Sequence, residues 1–148
     1  MSDISVDVSE WKKLDRDILF LAEETMPREC KKFMRREGGR AATTTRKLAK
    51  ATFKKKTGNY FRSIRGSRAW KSSYGSYGVK VYAKRPEGSH AHLLEYGHKV
   101  LIRGKYPISR RADDFHTIQK GTESFENRFA SDCQAFVDEL VEKGMRGK

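Results

Sequence analysis

The chain has 148 residues, the length of a single domain spanning 1–148. A chain of this size buries ~70% of its unfolded surface, so it needs neither a disulfide nor a metal to hold a core. The 2 cysteines, Cys30 and Cys133, fall at apolar positions of predicted helices. We interpret them as small buried hydrophobes in a reducing cytoplasm. No apolar run approaches the ~18 residues of a membrane span, which predicts a soluble protein without a membrane partner.

The net charge of +13 is concentrated in the middle of the chain. Residues 28–111 carry 24 basic and 4 acidic side chains. Both ends are acidic: residues 1–27 carry 3 basic and 7 acidic side chains, and residues 112–148 carry 5 basic and 8 acidic ones. A basic centre between acidic ends suits a surface that faces a polyanion. It equally suits subunits that meet head to tail. A solvated face that keeps the protein soluble is a third interpretation.

Helical periodicity dominates the first third of the chain. Residues 1–8 alternate polar and apolar side chains and are predicted to be a flexible arm. Ser9 is a plausible N-cap, and apolar residues from Trp11 onward step by three and four, which predicts a helix to about Thr25. Pro27 starts or kinks the next helix. Gly38-Gly39 predicts a break before a further helix over 41–55.

In the middle of the chain the spacing of apolar residues changes from the helical period to the alternation that is typical of strands. Residues 59–65 and 79–84 are predicted to be strands, joined across a turn rich in Gly, Ser and Tyr. Residues 86–89 form a second turn. Residues 90–96 are predicted to be either a strand or one helical turn, ended by Gly97, and residues 99–103 a short strand.

Apolar periodicity returns after residues 104–116, which are predicted to be a mobile loop. A broad apolar stripe from Ile118 to Val141 predicts a long C-terminal helix. The fold class is therefore α+β. We expect a small antiparallel β-sheet packed against the C-terminal helix and the N-terminal helices.

The sequence offers one cluster of metal-ligand residue types, His90, His92, Glu95 and His98. Their spacing matches no zinc motif, so we expect no metal and no cofactor. A nuclease needs carboxylates that converge on a hard metal, and residues 38–112 hold only Glu87 and Glu95. No nucleophile-elbow or Cys–His signature is present. We expect no enzymatic activity.

Cations and aromatic residues interleave between residues 54 and 84, an arrangement that can hold phosphates and stack bases. Strands also use aromatic residues simply for packing. No RRM-type or helix-turn-helix signature appears, so any binding of genomic double-stranded DNA is expected to be non-specific. The candidate DNA-facing residues are Lys54, Lys55, Lys56, Arg62, Arg65 and Arg68.

Two short segments carry the most information. The first is Thr57-Gly58-Asn59-Tyr60-Phe61-Arg62-Ser63-Ile64, and the second is Ala91-His92-Leu93-Leu94-Glu95-Tyr96-Gly97-His98. A hairpin region separates them, a helical region precedes them and an amphipathic helix ends the chain. With these motifs in this order, the chain resembles the small head–tail joining proteins of long-tailed bacteriophages, also called neck or tail-completion proteins and minor tail components.

The resemblance implies a structural protein of the virion rather than an enzyme. Its subunits would be assembled in the host bacterial cytoplasm into a homo-oligomeric ring that joins the connector of the DNA-filled capsid to the tail tube. The ring would be either a neck layer or the tail terminator. Its partners would be further copies of itself, head connector or stopper proteins, and tail tube or terminator proteins. The alternative is a non-specific double-stranded DNA-binding protein.

Specific positions follow from the motifs and their surroundings. The family-motif positions are Thr57, Gly58, Ile64, His92, Glu95, Tyr96 and Gly97. Gly58 is expected to permit the turn of the backbone from helix into strand, and Gly97 an abrupt change of direction after Tyr96. Glu95 is expected to pair with an arginine of its own or a neighbouring subunit. A docking loop is expected at Lys105, Tyr106, Pro107, Arg110 and Arg111.

Overall fold

The structure is a computed structural model that describes residues 9–54, 58–102 and 106–145. The helices within this part are α1 (Ser9–Phe20), α2 (Met26–Thr52), α3 (Asn59–Ser63), α4 (Ala91–Tyr96), α5 (Thr117–Glu123) and α6 (Glu126–Met145). The strands are β1 (Ile64–Gly66), β2 (Trp70–Lys71), β3 (Tyr77–Gly78), β4 (Val81–Ala83), β5 (Lys99–Ile102) and β6 (Tyr106–Arg111). The mixed helix-and-strand content confirms the α+β class.

The N-terminal helices form one continuous rod. A π-helical turn over Leu21–Thr25 joins α1 to α2, and the residues on either side of it, Phe20 and Met26, keep right-handed helical angles. Pro27 lies in the first turn of α2 and has no N–H to donate backwards, which favours a local change of hydrogen-bond spacing. The amide of Met26 accordingly bonds the carbonyl of Leu21.

The predicted break at Gly38-Gly39 is wrong, because α2 runs through both glycines. A β-carbon at Gly38 would lie 2.4 Å from a methyl of Val79. A β-carbon at Gly66 of β1 would lie 2.7 Å from the carbonyl oxygen of Gly38. The glycines therefore let β1 and the β3–β4 connection approach the helix closely, and this packing outweighs their poor helix propensity.

The strands form three separate two-stranded antiparallel ladders rather than one sheet: β1 with β4, β2 with β3, and β5 with β6. In the first ladder Ile64 pairs with Ala83 and Gly66 with Val81. The prediction of a strand over 59–65 is wrong for its first five residues, which form α3. The prediction for 90–96 left strand and helix open, and the segment is helical in α4.

The expected loop at 104–116 contains a strand. Tyr106–Arg111 forms β6 and pairs with β5, so the prediction of a loop is wrong for these six residues. The register shifts between Lys99 and Leu101, which pair with Arg111 and Pro107. The short strand expected at 99–103 is confirmed as β5, Lys99–Ile102. Lys105 lies outside the described residues.

Helix α2 is the spine of the fold, with the β1–β4 ladder and α5 packed against it. Ala42, Ala49, Phe61 and Ile64 form the central cluster of buried apolar residues. Helix α6 packs alongside the first half of α2, where the rings of Phe33 and Phe136 stack at 4.4 Å. The single C-terminal helix of the prediction is two helices, and the strands pack on α2 and α5 rather than on α6.

Candidate functional site

The two motif segments meet in the folded chain. Tyr60 of α3 donates a hydrogen bond from its phenol to Oε1 of Glu95 on α4. The same oxygen accepts a hydrogen bond from Oγ1 of Thr117 at 2.5 Å, and Oε2 accepts one from the amide of Ile118 at 3.1 Å. The Glu95 side chain is only 6% exposed. One buried carboxylate thus connects α3, α4 and α5.

Unusual backbone angles place these helices. Gly58 has φ +76° directly before α3, and Gly97 has φ +65° directly after α4. Both values favour glycine. The abrupt turn expected at Gly97 is confirmed, whereas Gly58 leads the chain into the helix α3 and not into the expected strand. His116, also at positive φ, precedes α5, and its amide bonds the carbonyl of Glu95 at 3.2 Å. The end of α4 is thereby attached to the start of α5.

The environment of the cluster keeps Tyr60 protonated. Burial raises the pKa of the Tyr60 phenol, and its hydrogen bond to the Glu95 carboxylate raises this pKa further. The expected pairing of Glu95 with an arginine of its own chain is wrong for the described residues. Its partners there are a phenol, a hydroxyl and a backbone amide, which satisfy a buried carboxylate without a counter-ion.

The remaining residues singled out in the two motif segments have different environments. Ile64 is fully buried in the core. His92 is exposed, with Nδ1 3.1 Å from the carbonyl oxygen of Ser89. Tyr96 is 62% exposed, and its ring meets the edge of the His116 ring. A groove of about 520 Å³ between β4, α4 and α5 is lined by both histidines, Glu95 and Tyr96. Thr57 lies outside the described residues.

Within the described ranges, no three His, Cys, Asp or Glu side chains are grouped so that they could hold a metal ion. His90, His92 and His98 are each exposed at the surface. Cys30 and Cys133 are free and partly buried. Burial raises the pKa of both thiols, so they are less reactive than an ordinary cysteine at neutral pH.

The expected DNA-facing residues that the structure describes are all exposed: Lys54, Arg62, Arg65 and Arg68. Lys47 and Lys50, near the C-terminal end of α2, are exposed as well. Among the described side chains, no ion pair involves a cation between residues 46 and 99. Together these exposed cations form a basic face. Lys55 and Lys56 are not among the described residues.

Sequence reasoning missed a second buried carboxylate. Glu37 is 1% exposed, and its Oε1 accepts hydrogen bonds from Arg36 at 2.8 Å and Arg40 at 3.0 Å. Arg40 also donates to Asp132 on α6 at 3.0 Å. The spacing of Glu37 and Arg40, three residues apart in a helix, was the available signal. The cluster attaches α6 to the spine.

Several apolar side chains are left at the surface. Leu14, Ile18, Leu19 and Phe20 on α1 are 45–61% exposed. Tyr74 at the tip of the β2–β3 hairpin is 96% exposed. Exposed apolar groups in this number on one helix are typical of an interaction surface. The side chains of the expected docking residues Tyr106, Pro107, Arg110 and Arg111 are not described, but their backbone forms β6.

Comparisons of the chain with protein-family models, with curated proteins and with solved structures find no match. No helix among the described residues is long and apolar enough to cross a membrane.

Proposed function

We propose that the chain is a structural subunit of the phage head–tail interface. Copies of it form a ring in the virion that joins the capsid connector to the tail tube, as a neck layer or as the tail terminator. The mechanism is binding without turnover, so the protein is not an enzyme. Its partners are further copies of itself, the head connector or stopper proteins, and the tail tube or terminator proteins.

The observation that carries this proposal is the cluster of Tyr60, Glu95 and Thr117. The two segments on which the resemblance depends are far apart in sequence, yet they share one buried hydrogen-bonded carboxylate. A catalytic carboxylate is normally accessible to a substrate. Glu95 borders the groove beside α4, but both of its carboxylate oxygens accept hydrogen bonds from the chain itself and the residue is only 6% exposed. It fixes three helices, which suits a subunit whose task is to keep its shape in an assembly.

The exposed elements support a role in docking. The β5–β6 hairpin pairs mainly with itself, and four of the five expected docking residues, all but Lys105, lie in its strand β6 rather than in a loop. The β2–β3 hairpin carries Tyr74 at its tip. Hairpins that leave the body of a subunit can order against a neighbour on assembly. The basic face would line or border the channel and hold DNA phosphates without reading sequence.

The test is the location of the protein. Virions of the phage that encodes the chain are purified, and the protein is labelled with antibody for electron microscopy. We expect label at the junction of head and tail, in every mature particle. Mature particles that lack the protein would overturn the proposal.

Non-specific binding of double-stranded DNA is the second candidate. The exposure of the basic face favours it, because exposed cations can neutralise phosphates. The purified chain would then bind duplex DNA of any sequence, with affinity that falls steeply as salt rises. Tight duplex binding together with absence from the virion would favour this candidate over the structural one.

A further inference from the structure

The β2–β3 hairpin is attached at its base to the β1–β4 ladder. The amide of Ser67 bonds the carbonyl of Lys80 at 2.8 Å, and Oγ of Ser67 accepts a hydrogen bond from the amide of Lys80 at 3.0 Å. Further along, Trp70 pairs with Gly78, and a β-carbon at Gly78 would lie 2.6 Å from the Trp70 ring. These contacts fix the hairpin to a ladder that itself packs on α2.

The turn at the end of this hairpin holds Tyr74 in solvent. The amide of Ser72 bonds the carbonyl of Ser76 at 2.8 Å, and the hydroxyl oxygens of these two serines lie 2.7 Å apart. Gly75 has φ +84°, and its amide bonds the carbonyl of Ser72 at 3.1 Å. Tyr74 lies within this closed turn and is 96% exposed. The hairpin therefore presents an aromatic ring that is accessible for stacking.

The charged side chains around the hairpin are all basic. Residues 66–86 contain no Asp or Glu and five exposed cations: Arg68, Lys71, Lys80, Lys84 and Arg85. Two of these cations lie over aromatic rings, with Nζ of Lys71 5.8 Å from the centroid of Tyr77 and Nζ of Lys80 5.8 Å from the centroid of Tyr82. A region with cations alone attracts a polyanion.

Nucleic acid offers both complements of this hairpin, negative phosphates and flat rings. Cations hold the phosphates of a single strand, and an exposed aromatic side chain stacks on its bases without regard to sequence. In an intact duplex the bases are stacked on one another, and inserting a side chain between them costs unstacking energy. A protein partner would instead need an acidic surface around its pocket for Tyr74. The surroundings of Tyr74 therefore favour DNA with unpaired bases.

We propose that the β2–β3 hairpin binds unpaired DNA, in a single strand or at a single-stranded duplex end. Tyr74 stacks on a base, and Lys71 and Lys80 bind neighbouring phosphates. The inference rests on the contact with DNA that both candidate functions include, and it adds a contact with bases to the phosphate contacts of the basic face. The β5–β6 hairpin remains for contacts with neighbouring subunits.

The first test measures binding of the purified chain to a fluorescently labelled strand of about 12 thymidines, by fluorescence anisotropy. Tyr74→Ala should bind about 10-fold more weakly, whereas Tyr74→Phe keeps a ring that stacks and should bind as the unaltered chain does. Phe20→Ala is the matched control, because Phe20 is a 61% exposed aromatic residue on α1, and it should bind normally. An unaltered chain that does not bind the strand, or a Tyr74→Ala variant that binds it normally, would overturn the proposal.

Salt dependence separates the ring from the cations. Tyrosine is uncharged, so Tyr74→Ala should lower the affinity at every salt concentration and leave the log–log salt slope unchanged. Lys71→Ala with Lys80→Ala should reduce the magnitude of this slope by about 0.7 for each phosphate that is no longer neutralised. Lys12→Ala with Lys13→Ala removes the same charge from exposed positions of α1 and should leave the slope nearly unchanged. Equal slopes for the two double variants would overturn the phosphate contacts.

A relaxed circular duplex tests the requirement for unpaired bases. Its bases are all paired, so Tyr74→Ala and the unaltered chain should bind it about equally. Equal losses on the duplex and on the single strand would overturn stacking on an unpaired base. Circular dichroism of each variant confirms that it is folded.

Failure of this inference is distinguishable from failure of the proposed function. A chain whose binding to the single strand does not depend on Tyr74 removes the hairpin contact and leaves the joining role intact. Mature virions that lack the protein remove the joining role, whatever the variants show with DNA in solution.

Discussion

The phenol of Tyr60 donates a hydrogen bond to the carboxylate of Glu95, 35 residues further along the chain. The bond joins the two segments that together carry the resemblance. Thr117, in a region expected to belong to the last helix or the loop before it, completes the cluster. A buried hydrogen bond to a charged group contributes more than a neutral one, so the cluster is expected to be important for stability.

Replacing Tyr60 tests this contribution. Tyr60→Phe keeps the aromatic packing against Phe53 and Phe61 but removes the donor, and we expect a decrease of about 1–2 kcal/mol in the free energy of unfolding. Tyr74→Phe is the matched control, because Tyr74 is 96% exposed. Both are measured by urea denaturation. Equal stability of the two variants would contradict the importance of the bond.

Alkaline pH should weaken the fold through the same residue. The pKa of Tyr60 is raised in the folded chain, whereas an unfolded tyrosine titrates near about 10. The stabilisation is complete below that value, and it is lost as the pH rises from there toward the folded-state pKa, because only the unfolded chain releases the proton. The free energy of unfolding should fall between pH 8 and a pH above ~10, and it should fall further in the unaltered chain than in the Tyr60→Phe variant, which has no phenol at this position. An identical pH dependence in the two would refute the assignment.

Two glycines should respond oppositely to alanine. A β-carbon at Gly121 would lie 2.7 Å from the Cα of Thr45, so Gly121→Ala forces α5 away from α2 and should cost roughly 1–3 kcal/mol. A β-carbon at Gly39 meets nothing within 4 Å, and Gly39→Ala should stabilise α2 by about 0.5–1 kcal/mol. Thermal denaturation of the two variants shows whether each substitution raises or lowers the melting temperature. A neutral Gly121→Ala would show that the packing between these helices is looser than described.

Arg40 should matter more than another arginine of the same helix. It bonds Glu37 and Asp132, so Arg40→Ala leaves a buried carboxylate with one donor fewer and should cost about 1–2 kcal/mol. Arg35→Ala, at an exposed position, is the control and should change stability by less than about 0.5 kcal/mol. Chemical denaturation of both variants provides the comparison. Similar decreases in the two would contradict a specific role for the cluster.

The basic face makes a quantitative prediction about DNA. If Lys47, Lys50 and Lys54 bind phosphates, replacing all three with alanine should reduce the magnitude of the log–log salt slope of duplex binding by about 0.9 for each phosphate that is no longer neutralised. Alanine at Arg28, Lys31 and Arg35 changes the net charge by the same amount at the other end of α2. This control should leave the slope nearly unchanged. Equal effects would indicate a general charge effect rather than a binding face.

Local signals in the sequence were sufficient for part of the fold. Gly58 and Gly97 were expected to permit turns, and both have positive φ. The α+β class and the strand at β5 were also anticipated. These features depend on backbone conformation and short-range periodicity, which the residues themselves determine.

Features that depend on tertiary packing were not predictable. From sequence alone, Gly38 predicts the end of a helix. Its place inside α2 is explained by tertiary packing, because Gly66 and Val79 lie so close to it that a side chain would not fit. Glu95 in a basic chain suggests an arginine partner, because nothing local reveals that Tyr60 and Thr117 converge on it. Asn59–Ser63 has strand-like residues but is helical, since Gly58 turns the chain into a helical start. The ring, the partners and the joining role stay predictions.

The most direct test of the joining role is electron microscopy of a lysate from a phage that lacks this gene. We predict DNA-filled heads beside separate, unattached tails; tails of abnormal length would place the protein at the terminator position within the same assembly. Complete particles with heads and tails attached would contradict a role at the head–tail interface.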